Sequence, residues 1–347
     1  MGRSQRRGST ACAAQAILEP LTERTDPKLR AVLLGAGLMG RWHTAAIASA
    51  GGVLVAVADP DLKRARGLAG GTDAFASINE LRREKIDVVH VCTPPETHVE
   101  LVEQAIALDA HVIVEKPLAP DAAATAALLS AAAERGLMLV PVHQFLFQPG
   151  IQRLLAHRQR LGTLVRCLFE TTTAGADTTR LEPDELVHEI LPHPLALFSR
   201  FAPVPLEELD WHVVRPAPGE LRAIAHASGA TFEIVVSTRG RPTRAQLEIV
   251  GTHASAQADL FHGFAVMERG AATRARKAIR PFTLAATTTA SAAANLAGRA
   301  ARRETAYPGL RELVRRTYEA VASGSDPPIE PQETVSVALA RDTIMSA

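Results

Sequence analysis

Residues 35–40 read GAGLMG and lie between an apolar run at 31–34 and a helical pattern that extends through Ser49. In a strand–loop–helix context, the first glycine allows a tight turn, the second lets backbone approach a pyrophosphate, and the third lets helix and strand pack closely. The free amides at the start of the helix then point at the phosphates. The sequence therefore predicts a dinucleotide site formed by Gly35, Gly37, Leu38, Met39 and Gly40.

The segment from residue 29 to about residue 150 alternates short apolar runs with helical patterns. Apolar runs at 53–58, 88–92, 111–114 and 137–140 predict buried strands, and Asp121 is an expected N-cap of the following helix. Continuous apolar strands that alternate with helices predict a parallel sheet covered on both faces. Right-handed crossovers make it a doubly wound Rossmann domain, expected over 29–150.

The remainder of the chain has a β-rich pattern with alternation, which predicts a second domain at 151–347 with an open, mostly antiparallel sheet. Residues 1–28 are expected to be a flexible tail. The fold class is therefore α/β, a Rossmann sheet followed by an α/β domain. The expected strands of the second sheet cover 164–172, 209–214, 222–227, 231–237, 245–250 and 256–260.

Asp59 ends the second predicted strand, about twenty residues after the glycines, where an acidic group takes the ribose hydroxyls of a dinucleotide. A carboxylate there repels a 2′-phosphate, so NAD is the expected cofactor. Lys63, Arg64 and Arg66 lie close by in the sequence and keep NADP as the less favoured alternative.

Charge and cysteine content argue against two classes of function. Lys plus Arg number 38 and Asp plus Glu number 37, a net charge of +1, so no nucleic-acid partner is expected. Cys12, Cys92 and Cys167 lie far apart without the spacing of metal ligands, so we expect free thiols and no metal site.

The sequence predicts neither export nor an integral membrane segment, and we expect a cytoplasmic protein. A weakly apolar stretch at 11–18 is interrupted by Glu19 and Pro20, unlike a signal peptide. An apolar run at 282–298 contains several threonines and is flanked by basic residues at 274–280 and 299–303. We expect this run to pack on its own protein or on a second subunit, with a membrane surface as the alternative.

Two stretches, TPPETH at 93–98 and HVIVEKP at 111–117, resemble motifs of the glucose–fructose oxidoreductase, inositol dehydrogenase and MocA family. Arg41-Trp42-His43 and the YPGL stretch at 307–310 fit the same family, and the resemblance extends over nearly the whole chain from about residue 29. It implies a substrate cleft between a Rossmann domain and an α/β domain. The open sheet of the second domain commonly makes the contact of a homo-oligomer, here a dimer or tetramer.

The resemblance also implies roles for individual residues. Lys116 would lie beside the nicotinamide and contact the reacting substrate oxygen, where an ammonium stabilises developing alkoxide charge. The remaining expected cofactor contacts are Glu115, the residues Thr93, Pro94 and His98 along the path from adenosine to nicotinamide, and the polar side chain Gln144, which follows His143.

His193 is the second catalytic candidate, because the family places an acidic residue three positions before a histidine at the start of a helix. Here Glu189 replaces the usual Asp, and Pro192 suits the first position of the helix. The helix dipole would favour a neutral imidazole able to accept a hydroxyl proton, with Glu189 orienting it. The family's glycines near this motif are missing, and His188 is a rival for the same role.

These residues favour hydride transfer between NAD(H) and a secondary alcohol or ketone of a sugar, cyclitol or sugar derivative. One alternative is an enzyme that retains NAD and uses transient oxidation for epimerisation, elimination or glycoside cleavage. A second alternative is a non-catalytic NAD-binding protein. The expected partner is thus a small polyol or sugar.

Overall fold

The computed structural model describes residues 28–81, 85–173, 181–270 and 273–347. The flexible tail predicted at 1–28 lies outside the described residues except for Lys28, and so does Cys12. Cys92 and Cys167 are free thiols, as predicted, and the structure buries both of them. A short 3-10 turn covers Ile78–Glu80, and residues 82–84 lie outside the described part.

Six parallel strands form the first sheet: β1 Arg30–Leu34, β2 Val53–Ala58, β3 Asp73–Phe75, β4 Val88–Val91, β5 His111–Val114 and β6 Leu139–Pro141. Their order in the sheet is β3-β2-β1-β4-β5-β6. This is the order of a Rossmann sheet, in which ligands bind where the strand order reverses, here between β1 and β4. The doubly wound fold predicted from the sequence is confirmed.

Helices follow the first strands and cover the sheet: α1 Leu38–Ser49, α2 Leu62–Ala69, α3 His98–Ala107 and α4 Ala122–Glu134. Asp121 caps α4 as predicted, since its carboxylate accepts from the Ala124 amide. The last two helices of the chain, α9 Leu310–Ser323 and α10 Pro331–Ser346, pack back onto α1 and α4. The C-terminal end of the chain therefore contributes to the surroundings of the first sheet.

Seven strands form the second sheet: β7 Leu164–Thr172, β8 His212–Val214, β9 Glu220–Ala227, β10 Ala230–Ser237, β11 Arg244–Gly251, β12 Ala254–Asp259 and β13 Phe264–Arg269. Their order is β13-β12-β11-β7-β10-β9-β8. Only β7 and β10 pair in parallel, and the other neighbours are antiparallel. The mostly antiparallel sheet is confirmed.

Four further helices belong to this half of the chain: α5 Pro149–Ala156, α6 Pro183–Ile190, α7 Pro192–Ser199 and α8 Arg274–Ala301. One apolar core runs continuously from the first sheet to the second, through residues such as Ile47, Ile113, Phe169, Leu195 and Phe232. This shared core holds α6 and α7 against the first sheet.

The structure differs from the sequence prediction at several local points. The strand predicted at 209–214 is confined to His212–Val214, because Leu209 and Trp211 are buried in the core ahead of the strand. Strand β13 was not predicted, since it pairs with only one strand and its residues are mostly half-buried without alternation.

Helix α6 was also missed, although the sequence carries its signals. Pro183 occupies its first turn, and Glu182 with Glu185 forms a reciprocal capping box. The pattern is easily overlooked because the helix has only eight residues and only Leu186 and Val187 are buried.

Phe198 of α7 and Phe232 of β10 are fully buried, with ring centroids 5.5 Å apart. Replacing Phe232 with Ala should lower the free energy of unfolding by about 3–5 kcal/mol, because a large cavity forms where the core cannot collapse. Urea denaturation measures the change. Phe261→Ala, at a side chain that is 53% exposed, serves as the control and should change stability by less than about 0.5 kcal/mol.

Candidate active site

The four strands β1, β4, β5 and β6 deliver the predicted site residues to one edge of the first sheet. The glycine loop follows β1, Thr93 follows β4, Glu115 and Lys116 follow β5, and His143 with Gln144 follows β6. Because the carboxyl ends of parallel strands share one edge, stretches that lie far apart in sequence meet there.

The glycine loop has the local geometry that a dinucleotide requires. Gly35 has a φ of +93°, and a Cβ there would lie 2.5 Å from the carbonyl oxygen of Cys92. A Cβ on Gly40 would lie 2.1 Å from the Gly35 oxygen, so helix and loop are in direct contact. At Gly37, by contrast, no described atom lies within 4 Å of a Cβ position. Open space therefore lies in front of the first amides of α1, where Leu38 is 62% exposed.

Asp59 lies at the end of β2 and is held by the glycine loop. Its carboxylate accepts from the Ala36 amide and from the Asp61 amide, each at 2.8 Å. The side chain is thus a turn residue that is fixed beside the loop. Each carboxylate oxygen has a second lone pair, so the group keeps acceptor capacity for a ligand hydroxyl.

Lys116 meets Glu189 across the two halves of the chain. The Lys116 Nζ lies 3.6 Å from the Glu189 Oε2, and both side chains are about three-quarters or more buried, at 20% and 24% exposure. Lys116 follows β5, whereas Glu189 belongs to α6. The ion pair therefore joins the first sheet to the helices of the second half.

His193 lies on α7 close to this pair and is half-buried, with its Nδ1 atom shielded from solvent. Its ring stacks on Phe145 with centroids 4.5 Å apart, and its Nδ1 has no hydrogen-bond partner among the described residues. Burial lowers the pKa of His193 well below its ordinary value, and the positive charge of Lys116 lowers it further. The imidazole is therefore neutral.

The sequence predicted that the dipole at the start of a helix would keep His193 neutral, and this prediction is only partly right. The helix begins at Pro192 as expected, but Leu191 is also helical and joins α6 to α7 almost without interruption. The α7 N-terminus is therefore not a free helix end with a strong positive dipole. Burial and Lys116 are the main causes of the lowered pKa.

His143 and Gln144 add two more buried polar atoms at this edge. Within the described chain, neither the His143 Nδ1 nor the Gln144 Oε1 has a hydrogen-bond partner. Burial lowers the pKa of His143 to about 3, with contributions from the charges of Arg200 and Lys116. Buried polar atoms are nearly always paired, so these atoms and the His193 Nδ1 mark positions where a polar ligand fits.

His188, the rival histidine, lies on α6 and is partly exposed. Burial lowers its pKa, the charge of Arg341 lowers it further, and Asp342 and Glu189 act in the opposite direction. The charge of Lys116 also lowers the pKa of His188, as it does that of His193, so both histidines lie near the same ammonium. Of these two histidines, His193 is the one with a buried ring nitrogen that has no partner among the described residues.

The stretch at 93–98 is held mainly by contacts within the protein. Nδ1 of His98 lies 2.8 Å from the Pro117 carbonyl oxygen, and Nε2 lies 3.0 Å from the Thr93 carbonyl oxygen. The buried His98 ring therefore ties the loop after β4 to the loop that carries Lys116. Thr93 is half-buried and accepts from the Thr97 hydroxyl, and Pro94 is exposed at the rim.

A buried hydrogen-bond chain behind Glu115 was missed by the sequence reasoning. The Glu115 Oε1 lies 3.1 Å from His43 Nε2, the Nδ1 atoms of His43 and His90 are 2.8 Å apart, and His90 Nε2 lies 2.9 Å from the Tyr318 hydroxyl. Burial lowers the pKa of His90, and His43 lowers it further. The available signal was His90, a polar residue inside an otherwise apolar strand.

The direction of this chain follows from its donors. A carboxylate only accepts, so His43 donates to Glu115 through Nε2. In the arrangement with two neutral rings, His90 then donates to His43 and the Tyr318 hydroxyl donates to His90. All three donors point toward Glu115, which fixes the carboxylate next to Lys116.

Two further features are absent from the described residues. No group of three or more His, Cys, Asp or Glu side chains there is arranged to hold a metal ion. Over the same ranges, none of the helices has the length and apolar character needed to cross a bilayer.

Residues 29–143 match the model of a family described as an oxidoreductase family with an NAD-binding Rossmann fold. Over 178 residues the chain is 34% identical to inositol 2-dehydrogenase 4 of Saccharopolyspora erythraea, a match covering 48% of this chain and 53% of that protein. The chain spans about half the length of the curated relatives that it matches.

Solved structures share the fold over almost the whole chain. The UDP-N-acetylglucosamine 3-dehydrogenase of Acidithiobacillus ferrooxidans has a TM-score of 0.71 at 20% identity, covering 92% of this chain and 97% of that one. A levoglucosan dehydrogenase in complex with NADH and levoglucosan has a TM-score of 0.71 at 15% identity, covering 92% and 96%. At these identities the similarity shows the fold.

The depressed pKa of His143 predicts acid sensitivity. Below the ordinary histidine pKa of about 6.5, the unfolded chain binds a proton that the folded site excludes until about pH 3, so stability is lost as the pH falls. The slope from this one group approaches about 1.4 kcal/mol per pH unit. Urea denaturation of His143→Gln from about pH 7 to about pH 5 should show a shallower loss than the wild type.

His157→Gln, which removes an exposed histidine, is the matched control and should leave the slope unchanged. An identical pH slope for His143→Gln and the wild type would mean that His143 is already protonated in the folded protein.

Proposed function

We propose that this chain is an NAD(H)-dependent oxidoreductase of the glucose–fructose oxidoreductase, inositol dehydrogenase and MocA family, whose model matches residues 29–143. It transfers hydride between the nicotinamide and a secondary alcohol or ketone of a sugar, cyclitol or sugar derivative. The observation that carries the proposal is Lys116 paired with Glu189 and close to the neutral His193, at the carboxyl edge of the first sheet.

The residues at this edge fit a dinucleotide. The space in front of Gly37 and the contact of Gly35 with Gly40 form a cradle that a Cβ would fill. The amides of Leu38 and Met39 at the start of α1 would bind the pyrophosphate. The buried Gln144 Oε1, which has no partner among the described residues, would accept from the nicotinamide amide.

Asp59 supports NAD over NADP. Its carboxylate, fixed by the Ala36 and Asp61 amides, would accept from the ribose hydroxyls and repel a 2′-phosphate. Of the nearby cations that favour NADP, Arg64 is paired with Asp61 at 3.1 Å. Thr93, Pro94 and His98 would border the path between ribose and nicotinamide, and Glu115 would face the cofactor.

When bound, NAD supplies the hydride acceptor, and the chain supplies position and charge. The Lys116 ammonium would hold the substrate oxygen and stabilise the negative charge that develops on it. Glu189 would keep the ammonium in place through its 3.6 Å contact. The neutral His193 would take the hydroxyl proton, and its stacking on Phe145 holds the ring plane fixed.

The substrate class rests on the relatives and on the chemistry of the site. The similar proteins are named for inositol, UDP-N-acetylglucosamine and levoglucosan, which are all polyhydroxylated rings with secondary alcohols. A cleft with a lysine, a neutral histidine and unpaired buried acceptors suits such a small polar ligand.

We further propose a homo-oligomer, dimer or tetramer, built through the open face of the second sheet. That face presents the apolar side chain of Ile224, which is 39% exposed. It also carries cross-strand ion pairs of Arg166 with Glu248 and of Arg244 with Glu170. Uncovered apolar and charged groups on one face are typical of subunit contacts.

Lys116→Ala tests the catalytic assignment. Loss of the ammonium should reduce turnover of a polyol substrate at least about a hundredfold, as expected for removal of a group that stabilises an oxyanion. NADH affinity, measured by fluorescence titration, should change little. Lys85→Ala, which removes an exposed lysine paired with Asp87, is the control and should keep full activity.

The fate of the reduced cofactor separates the candidate functions. Stoichiometric release of NADH with a ketone product supports net oxidation. Turnover without net NADH release supports transient oxidation by a retained cofactor. Unchanged turnover in Lys116→Ala contradicts both and removes Lys116 from the mechanism.

A further inference from the structure

Helix α8 is the longest helix described and has no buried residue over its 28 residues. It follows edge strand β13, on which one of its faces rests. Thr288 and Ser291 are half-buried on that face, and Ser291 donates to the Ala265 carbonyl. Asn295 donates to the His262 carbonyl, and Arg280 pairs with Glu268 of β13. The helix is therefore a fixed ridge on the protein.

The opposite face of α8 is apolar and uncovered. Ile279, Phe282 and Leu296 are 53%, 77% and 68% exposed. Their positions fall on one side of a helix, since residues three or fourteen apart lie close to whole turns. Between them the stripe contains only alanine and threonine, at Ala286, Thr289 and Ala293. A soluble surface helix usually presents charged residues on such a face.

The charge of this segment has one sign. Residues 273–303 contain seven basic and no acidic residues. Arg280, Arg299 and Arg302 are engaged by protein groups. By contrast, the side chains of Arg274, Arg276 and Lys277 have no ion-pair partner in the described ranges. Unpaired cations therefore flank an outward-facing apolar stripe at its N-terminal end.

These two features argue against a second copy of α8 as the occupant. In either orientation, a paired α8 would bring basic ends together with no acidic residue on the segment to compensate them. An exposed apolar stripe on a helix that also carries many polar side chains and basic flanks is instead the pattern of a helix that lies in a membrane interface.

We propose that α8 docks the protein on an anionic lipid surface, with Ile279, Phe282 and Leu296 among the acyl chains and Arg274 and Arg276, which flank this stripe on the helix, at the phosphate headgroups. The helix lies in the plane of the interface and does not cross it. This surface is separate from the proposed active site, so the inference holds whether or not the proposed reaction is right.

Cosedimentation of the full chain with vesicles tests the proposal. The probes are vesicles of phosphatidylcholine mixed with phosphatidylglycerol, and vesicles of phosphatidylcholine alone. The protein should bind the mixed vesicles more tightly, and added salt should weaken binding because it screens the headgroup charge.

Two double variants test the basic residues and the apolar stripe of α8 separately. Arg274→Glu with Arg276→Glu should weaken binding at least about 25-fold, because each basic residue near an anionic surface contributes about fivefold. Phe282→Gln with Leu296→Gln should weaken it about tenfold or more, since both side chains enter the apolar layer. Circular dichroism confirms that each variant is folded.

Matched controls change the same residue types on other exposed surfaces. Arg158→Glu with Arg160→Glu, and Val214→Gln, should leave vesicle binding unchanged. Failure of the folded wild type to bind anionic vesicles overturns the proposal, and so does equal binding to neutral vesicles. A wild-type dimer that the Phe282 and Leu296 variant converts to a monomer, without vesicle binding, also overturns it and assigns the stripe to a second copy.

Discussion

The ion pair between Lys116 and Glu189 connects the two sheets at the point where chemistry is expected. Lys116 follows a strand of the first sheet, and Glu189 belongs to a helix held there by a core that runs through both sheets. If that core loosened, the ammonium would lose its partner and His193 would lose the enclosure that keeps it neutral. Packing far from the cleft therefore maintains the Lys116–Glu189 ion pair and the neutral His193 inside it.

Burial explains most of the electrostatics at the site. His90 and His143 are buried and His193 is half-buried, and in each case desolvation is the first cause of a lowered pKa. Neutral imidazoles can both donate and accept, whereas protonated ones only donate. The enclosed edge of the sheet can thus contain three histidines and one lysine without accumulating positive charge.

The first sheet and its loops were predictable because their signals are local. The glycines at 35–40 predict the loop, and the apolar runs around them predict the strands. The structure confirms the sheet. The chain of Glu115, His43, His90 and Tyr318 was not predictable, because its members come from four elements and meet only after folding. Strand β13 was missed for a similar reason, since its pairing partner and not its own pattern defines it.

The roles assigned to Asp59, Lys116 and His193 remain predictions, and all of them require that the carboxyl edge of the first sheet holds NAD(H). Fluorescence titration of the purified full chain with NADH and with NADPH, after removal of any copurified nucleotide, tests this requirement directly. We expect tighter binding of NADH, and a loss of that affinity in Gly37→Ala, where the added methyl group occupies open space without contacting the protein. Tighter binding of NADPH, or equal NADH affinity in the wild type and Gly37→Ala, would contradict the account.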